Sequence, residues 1–217
     1  MFMKIKAAIF DLDGVIADSE PFSEKADEIV LARHGIFKTE KEKHEAFGRR
    51  TEEIFGDVLK ARNIDLSTER LIEEKDHVFT GLIKGNLKLI RNSLELIDFF
   101  KRKGFKLALA TSSHRKKMTA ELRELGTEDL FRTIITGDDV KKGKPNPEIY
   151  LRAARALGVR PEESAVIEDS GFGVLAGKNA GMFTIGFRSP NSRGQDISRA
   201  DLIIDDLAEV IDYFSRG

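Results

Sequence analysis

The sequence predicts an α/β fold: a doubly wound parallel sheet of Rossmann-like type, with an all-helical unit inserted in it. Three observations lead there. Short continuous apolar runs end in small or acidic residues, and helical periodicities fill the gaps between them. One connection of about 70 residues holds helical patterns and no strand, where roughly 2–6 residues is the usual loop.

The first run, Ile5–Phe10, leads straight into Asp11. It is continuous rather than alternating, which suits a strand buried on both faces. The rhythm then breaks. Ser19 with Pro21 shortly after reads as a helix start, and Phe22, Ala26, Ile29 and Val30 share one face. A second helix is expected from Thr51 through Ile54, Val58 and Leu59, and a third from Thr68 to Ile83. Leu94, Ile97 and Phe100 then run toward Gly104, a helix stop. Phe105–Ala110 is the next strand, followed by Met118, Leu122 and Leu125 at i, i+4, i+7 before Gly126. Thr133–Thr136 is a strand, and Ile149, Leu151, Ala154 and Leu157 form a helix between Pro147 and Gly158. Ser164–Ile167, Met182–Phe187 and Leu202–Ile204 complete the strands. The expected division is a core of residues 1–18 and 89–217 and a helical cap of residues 19–88. The cap would lie over the carboxyl ends of the strands, where open α/β sheets bind ligands.

Composition removes several function classes. Lys and Arg number 36 against 37 Asp and Glu, a formal charge of −1, so nothing global favours nucleic acid or an anionic membrane as partner. The absence of Cys excludes a disulfide framework, a thiol nucleophile and thiolate-held zinc. His34, His44, His77 and His114 form no metal-ligand pair at i+3 or i+4. No apolar run approaches the roughly 18 residues of a membrane span, and the N-terminus lacks the apolar stretch and cleavage site of a signal peptide. The expectation is a soluble cytoplasmic protein; the sequence leaves the oligomeric state open and is compatible with a monomer.

Chemistry concentrates at four strand ends. Asp11-Leu12-Asp13-Gly14 places two carboxylates on alternate positions of an extended segment, so both can face one way, and Gly14 frees the chain to turn. Glu168-Asp169-Ser170 closes a second strand, with Gly171 and Gly173 opening a helix. Acidic pairs at two abutting ends would repel each other unless a cation intervenes. Oxygen ligands with no competing His or Cys favour Mg²⁺, while a plain N-cap by Asp169 or Ser170 is the structural alternative. Thr111-Ser112-Ser113 at a third end reads as an anion site at a helix N-terminus or simply as its cap. The next four residues, His114 to Lys117, read as a solvated basic turn. In Lys142-Gly143-Lys144-Pro145-Asn146-Pro147 the prolines hold the chain extended and stiff, so Lys144 can be aimed at a fixed point, while Lys141 and Lys142 read as solvated surface.

Taken in order, D-x-D-G-V, A-T-S, G-K-P-x-P and E-D-S-x-x-G resemble the four motif stations of the haloacid dehalogenase (HAD) superfamily of phosphohydrolases and phosphomutases. The resemblance spans Ala7 to about Gly186. The helical insertion looks like the cap of the β-phosphoglucomutase and phosphoglycolate phosphatase branch. It implies Asp11 as nucleophile and Asp13 as general acid and base. Mg²⁺ would be held by Asp11, the Asp13 carbonyl and Asp169, with Glu168 beside it. Thr111, Ser112 and Lys144 would bind the phosphoryl group, with the backbone N–H of Leu12 helping. The implied partner is a small phosphorylated metabolite.

Departures from the pattern narrow the reading. The histidine that β-phosphoglucomutases carry in the first cap helix is Ser23 here, and the arginine three residues after a cap glycine is Thr51, with Arg49 and Arg50 close by. Ser19-Glu20-Pro21 resembles the phosphatase form, and Arg91-Asn92 stands where Pro-Gly often marks re-entry to the core. These differences point to a phosphatase rather than the alternative, a sugar-phosphate mutase. A phospho-accepting receiver domain also combines Asp, Thr/Ser, Lys and Mg²⁺, but has neither the second acid nor the cap.

Overall fold

In the computed structural model, which describes residues 5–192 and 194–215, six parallel strands form one sheet in the order β3-β2-β1-β4-β5-β6. The strands are β1 (Ala7–Phe10), β2 (Lys106–Ala110), β3 (Thr133–Ile135), β4 (Ser164–Glu168), β5 (Phe183–Phe187) and β6 (Leu202–Ile204). All six coincide with the apolar runs of the sequence. The chain winds outward from β1 to β3, returns to β4 on the other side of β1, and winds outward again. The order therefore reverses between β1 and β4, and their carboxyl ends frame the crevice in which doubly wound sheets place a ligand.

The helices are α1 (Glu20–Arg33), α2 (Glu40–Ala46), α3 (Thr51–Ala61), α4 (Thr68–Ile83), α5 (Ser93–Arg102), α6 (Arg115–Leu125), α7 (Glu148–Leu157), α8 (Gly171–Asn179) and α9 (Ala208–Ser215). Alternation along β1 divides the core. Ala8 and Phe10 join Leu96, Phe100, Met118, Leu122 and Val210, from α5, α6 and α9. Ile9 faces the opposite way, with Ile149, Tyr150, Ala153 and Ala176 from α7 and α8. Helices thus cover both faces, which is why the central strands read as continuous apolar runs.

Residues 20–83 contain four helices and no strand, and they have their own core of Val30, Leu31, Phe55, Val58, Leu59 and Leu71. α2 buries no residue and is held by a capping box between Thr39 and Glu42 and by Arg62 on both oxygens of Glu42. It has no apolar period, and the sequence reading passes over it. The segments that connect this helical unit to the sheet run side by side: Asp18 N–H donates to the Lys88 carbonyl at 2.9 Å and Ile90 N–H to the Ile16 carbonyl at 2.8 Å. Asn92, in the left-handed region at φ 62°, then starts α5. No helix among the described residues is long and apolar enough to cross a membrane.

Phe100 is fully buried between Phe10, Phe99, Phe105 and Phe214. Phe100→Ala is expected to lower unfolding free energy by about 3–5 kcal/mol. Phe37→Ala, at a side chain 72% exposed, is expected to stay within about 0.5 kcal/mol. Chemical denaturation of both variants checks the contrast.

Candidate active site

The site begins where β1 stops. Asp11 continues the ladder, its N–H donating to the Ile167 carbonyl at 3.1 Å, which sets its side chain opposite the end of β4. Asp11, Glu168 and Asp169 each present an oxygen within 4.8 Å of the others, all three buried. The close approach depends on Gly14, at φ +74°: a Cβ there would lie 1.8 Å from Asp169 Oδ2.

One cation of the chain enters this cluster. Lys144 Nζ lies 2.7 Å from Asp11 Oδ1 and 2.5 Å from Glu168 Oε1. The segment that delivers it is a turn, not the extended stretch its prolines suggest. Asn146 N–H donates back to the Gly143 carbonyl at 3.0 Å across a cis Lys144–Pro145 bond. Pro147 caps α7, and Lys141 and Lys142 are exposed as expected.

Glu168 is saturated. Lys144 and the Tyr150 hydroxyl (2.8 Å) donate to Oε1, and the Ser170 N–H and hydroxyl (both 2.9 Å) to Oε2. The N-cap of α8 is Ser170, which accepts from Gly173 N–H, and not Asp169. Asp169 accepts one bond, from Ser189 at 2.8 Å, and Asp11 one, from Lys144, so each keeps an oxygen without a donor among the described residues. Three carboxylates against one ammonium leave an excess negative charge. Burial pushes Asp11 up to about 8, with Glu168 and Asp13 adding to the rise and Lys144 opposing it. Asp169 rises well above the carboxylate range through burial and the charges of Glu168 and Asp11. A hard divalent cation between Asp11 and Asp169 would offset that excess, and the all-oxygen donor set suits Mg²⁺.

Asp13, two residues on, sits in the opposite environment. Its Oδ1 accepts from the Ser19 hydroxyl and, at 2.6 Å, from Lys117 Nζ. Its Oδ2 accepts from Ser113 at 2.9 Å and, more distantly, from Thr111 at 3.4 Å. Burial alone would raise it, but Lys117 and these hydroxyls hold it well below the ordinary carboxylate value. Here the sequence expectation fails: Lys117 is not part of a solvated basic turn. It is buried and also bonded at 2.9 Å to the fully buried Glu121 one turn along α6. His114 caps α6 by accepting from Lys117 N–H, and its other nitrogen lies 2.8 Å from Asp76 of α4. The legible signal was a Lys–Glu pair at i, i+4 beside the Met118/Leu122 stripe of a helix starting at a strand end.

The other expected residues divide. Thr111 is fully buried, facing Asp13 and accepting from Ser113 N–H. The Ser112 hydroxyl donates to the Gly48 carbonyl at 2.9 Å, while the backbone N–H groups of Leu12 and Ser112 donate to no acceptor among the described residues. Asp11, Asp13, Lys144 and Asp169 line one cavity of about 60 Å³, whose cap wall includes Glu20, Ser23, Asp27, Lys38, Thr51 and Lys75. Arg49 also reaches it, paired with Asp57 at 2.7 Å. Arg50 does not line it; its Nε is buried beside Gly137 without a hydrogen-bond partner among the described residues. The cap sits tightly on the core: Gly143 N–H donates to Glu53 at 3.0 Å, and a Cβ on Gly48 would lie 2.4 Å from Ser170 Oγ.

The chain is similar to known proteins over most of its length. The family profile described as haloacid dehalogenase-like hydrolase matches residues 8–187. A phosphorylated carbohydrates phosphatase from Thermotoga maritima is 41% identical over 182 residues, 82% of each chain. The structure of CbbY from Rhodobacter sphaeroides in complex with phosphate superposes with a TM-score of 0.86 at 29% identity, covering 95% of this chain and 96% of that one. A β-phosphoglucomutase from Clostridium difficile gives 0.85 at 28% identity, covering 98% and 96%.

The crowding of Asp11 has a measurable consequence. Between its ordinary value of 3.8 and about 8 the folded, cation-free protein holds a proton that the unfolded chain has released. The stability contributed by that proton is complete at low pH and is lost as pH rises toward 8. Thermal melting in chelator should therefore show a decline over this range that is shallower in Asp11→Asn and relieved by Mg²⁺ in wild type. Parallel pH slopes for variant and wild type would contradict the geometry.

Proposed function

The chain belongs to the haloacid dehalogenase-like hydrolase family, and from that premise we propose that it is a Mg²⁺-dependent phosphatase of small phosphorylated metabolites. The observation that carries this reading is the contrast at the end of β1. Asp11, with one oxygen bearing no donor, faces the same cavity as Asp13, which lies two residues away in a cationic, hydroxyl-rich setting. We also propose that residues 1–18 and 89–217 act as the catalytic core and residues 19–88 as the cap that selects the substrate.

Asp11 attacks phosphorus in line. The bond from phosphorus to the ester oxygen breaks as an aspartyl-phosphate forms, and protonated Asp13 gives its proton to the departing alkoxide. The four donors around Asp13 describe its ionised state. A substrate dianion bound alongside favours the protonated form by like-charge repulsion. In the second half-reaction ionised Asp13 takes a proton from water, whose oxygen attacks phosphorus and releases the Asp11 carboxylate and inorganic phosphate. Lys144 and the free N–H groups of Leu12 and Ser112 suit the phosphoryl oxygens, while Thr111, buried outside the cavity lining, bonds Asp13 and Ser113. Asp11, the Asp13 carbonyl and Asp169 would hold Mg²⁺, with saturated Glu168 fixing Lys144 beside them. When bound, the ion supplies charge compensation for the transferring phosphoryl group.

The cap wall carries Glu20, Ser23, Asp27, Lys38, Thr51 and Lys75, a polar surface suited to hydroxyl-rich leaving groups such as sugars. The relative that hydrolyses phosphorylated carbohydrates supports that class. The likeness to a β-phosphoglucomutase favours a sugar-phosphate mutase as second reading, although Ser23 and Thr51 stand where the mutase pattern has histidine and arginine.

A panel of phosphorylated sugars and short acids, assayed for phosphate release with and without Mg²⁺, tests the proposal. Asp11→Asn is expected at background, and Asp13→Asn lower than wild type by about 10²–10⁴-fold. Equal turnover by Asp11→Asn and wild type would end the mechanism. Isomerisation that needs a bisphosphate, without net phosphate release, would establish the mutase.

A further inference from the structure

Lys117 has more partners than a surface pair requires. Its Nζ lies 2.6 Å from Asp13 Oδ1, 3.0 Å from Ser113 Oγ and 2.9 Å from Glu121 Oε1. An ammonium has three N–H donors, and here each has one acceptor. The group also lies 4.7 Å from the centre of the Phe79 ring, which α4 lays over it. Three acceptors and one aromatic face define a single position. Glu121 shares α6 with Lys117, is fully buried, and has no hydrogen-bond partner for Oε2 among the described residues. A buried carboxylate in that position does little except hold the ammonium, because an isolated buried ion pair adds little stability over apolar packing.

We infer that Lys117, held by Glu121, is a positioning residue for Asp13. It fixes Oδ1, together with Ser19, so that Oδ2, which accepts only from hydroxyls, Ser113 at 2.9 Å and Thr111 at 3.4 Å, is the oxygen that exchanges a proton with leaving group and water. The inference rests on the phosphatase reading above and deepens it. A Lys117 that only stabilised the fold would leave the balance between the two half-reactions unchanged, whereas one that aims Asp13 affects them unequally.

That inequality is readable with p-nitrophenyl phosphate. Its phenolate leaves without help from an acid, so transfer to Asp11 tolerates a misplaced Asp13. Hydrolysis of the aspartyl-phosphate still needs Asp13 as base. Two variants serve: Lys117→Met, and Lys117→Met combined with Glu121→Leu, which removes both ions so that neither is left buried alone. Each is checked for folding by circular dichroism and thermal melting. Rapid mixing with Mg²⁺ present should show a burst of p-nitrophenolate approaching one per protein. Steady turnover should then fall by about 10²-fold, and intact mass should show a single added phosphoryl group. A folded variant whose burst rate and steady turnover fall in equal proportion, or whose turnover matches wild type, overturns the inference. No Mg²⁺-dependent phosphate release by wild type from any phosphomonoester overturns the phosphatase reading itself, and the inference with it.

Discussion

Crowding of carboxylates at the carboxyl ends of β1 and β4 is the constraint on which the rest of this structure depends. Two adjacent parallel strands end in acids, and neither end can move without breaking the ladder that joins them. The surrounding features follow from keeping those charges together. Gly14 removes the Cβ that would strike Asp169, and Gly173 does the same beside Glu168. Tyr150 and Ser170 saturate Glu168, so that it acts as a fixed negative anchor for Lys144. The turn at Gly143–Asn146 delivers that lysine from the far end of β3. What remains unbalanced lies on Asp11 and Asp169, on the cavity side, where a cation and a phosphoryl group would meet.

The same strand end solves a second problem with the opposite sign. Two carboxylates in one cavity normally share a fate, yet Asp11 is driven up to about 8 while Asp13 is held below its ordinary value. Burial acts in the same direction on both. The difference is in the neighbours: acids and one shared lysine around Asp11, against an ammonium and three hydroxyls around Asp13. Environments that push paired acids apart let one fold assign them different tasks. Here the separation comes from what each side chain faces: the Lys144 turn and the end of β4 for Asp11, and α6 with the start of α1 for Asp13.

Much of this was legible in the sequence, for a physical reason. Strands buried on both faces leave continuous apolar runs, and acids placed against that background stand out, so all six strands, and the acids Asp11, Asp13, Glu168 and Asp169 at the ends of two of them, could be located without coordinates. The unread parts lack such contrast. α2 has no apolar face, because ion pairs and a capping box hold it. Lys117 and Glu121 resemble any surface i, i+4 pair, and the ring that covers Lys117 is Phe79, some 40 residues away in sequence and supplied by the cap. The prolines around Lys144 read as an extended stretch, but a turn accepts them equally well, and a turn is what forms.

The cap sets the remaining condition. With it seated, the cavity between cap and core is small, about 60 Å³. The paired linkers at Ala17 and Leu89 join cap to core, and a cap that shifted to admit a larger leaving group would turn on them. Ser19 lies just beyond that pairing at the start of α1, and Phe79 lies on α4, so a cap swinging on these linkers carries both away from Asp13 and Lys117. Glu121 and Ser113 belong to the core and stay. The donor set of Asp13 thus has a part that leaves with the cap and a part that does not. Lys117, tied to Glu121, is the charged member of the part that remains, so it would keep Asp13 aimed with the cap displaced.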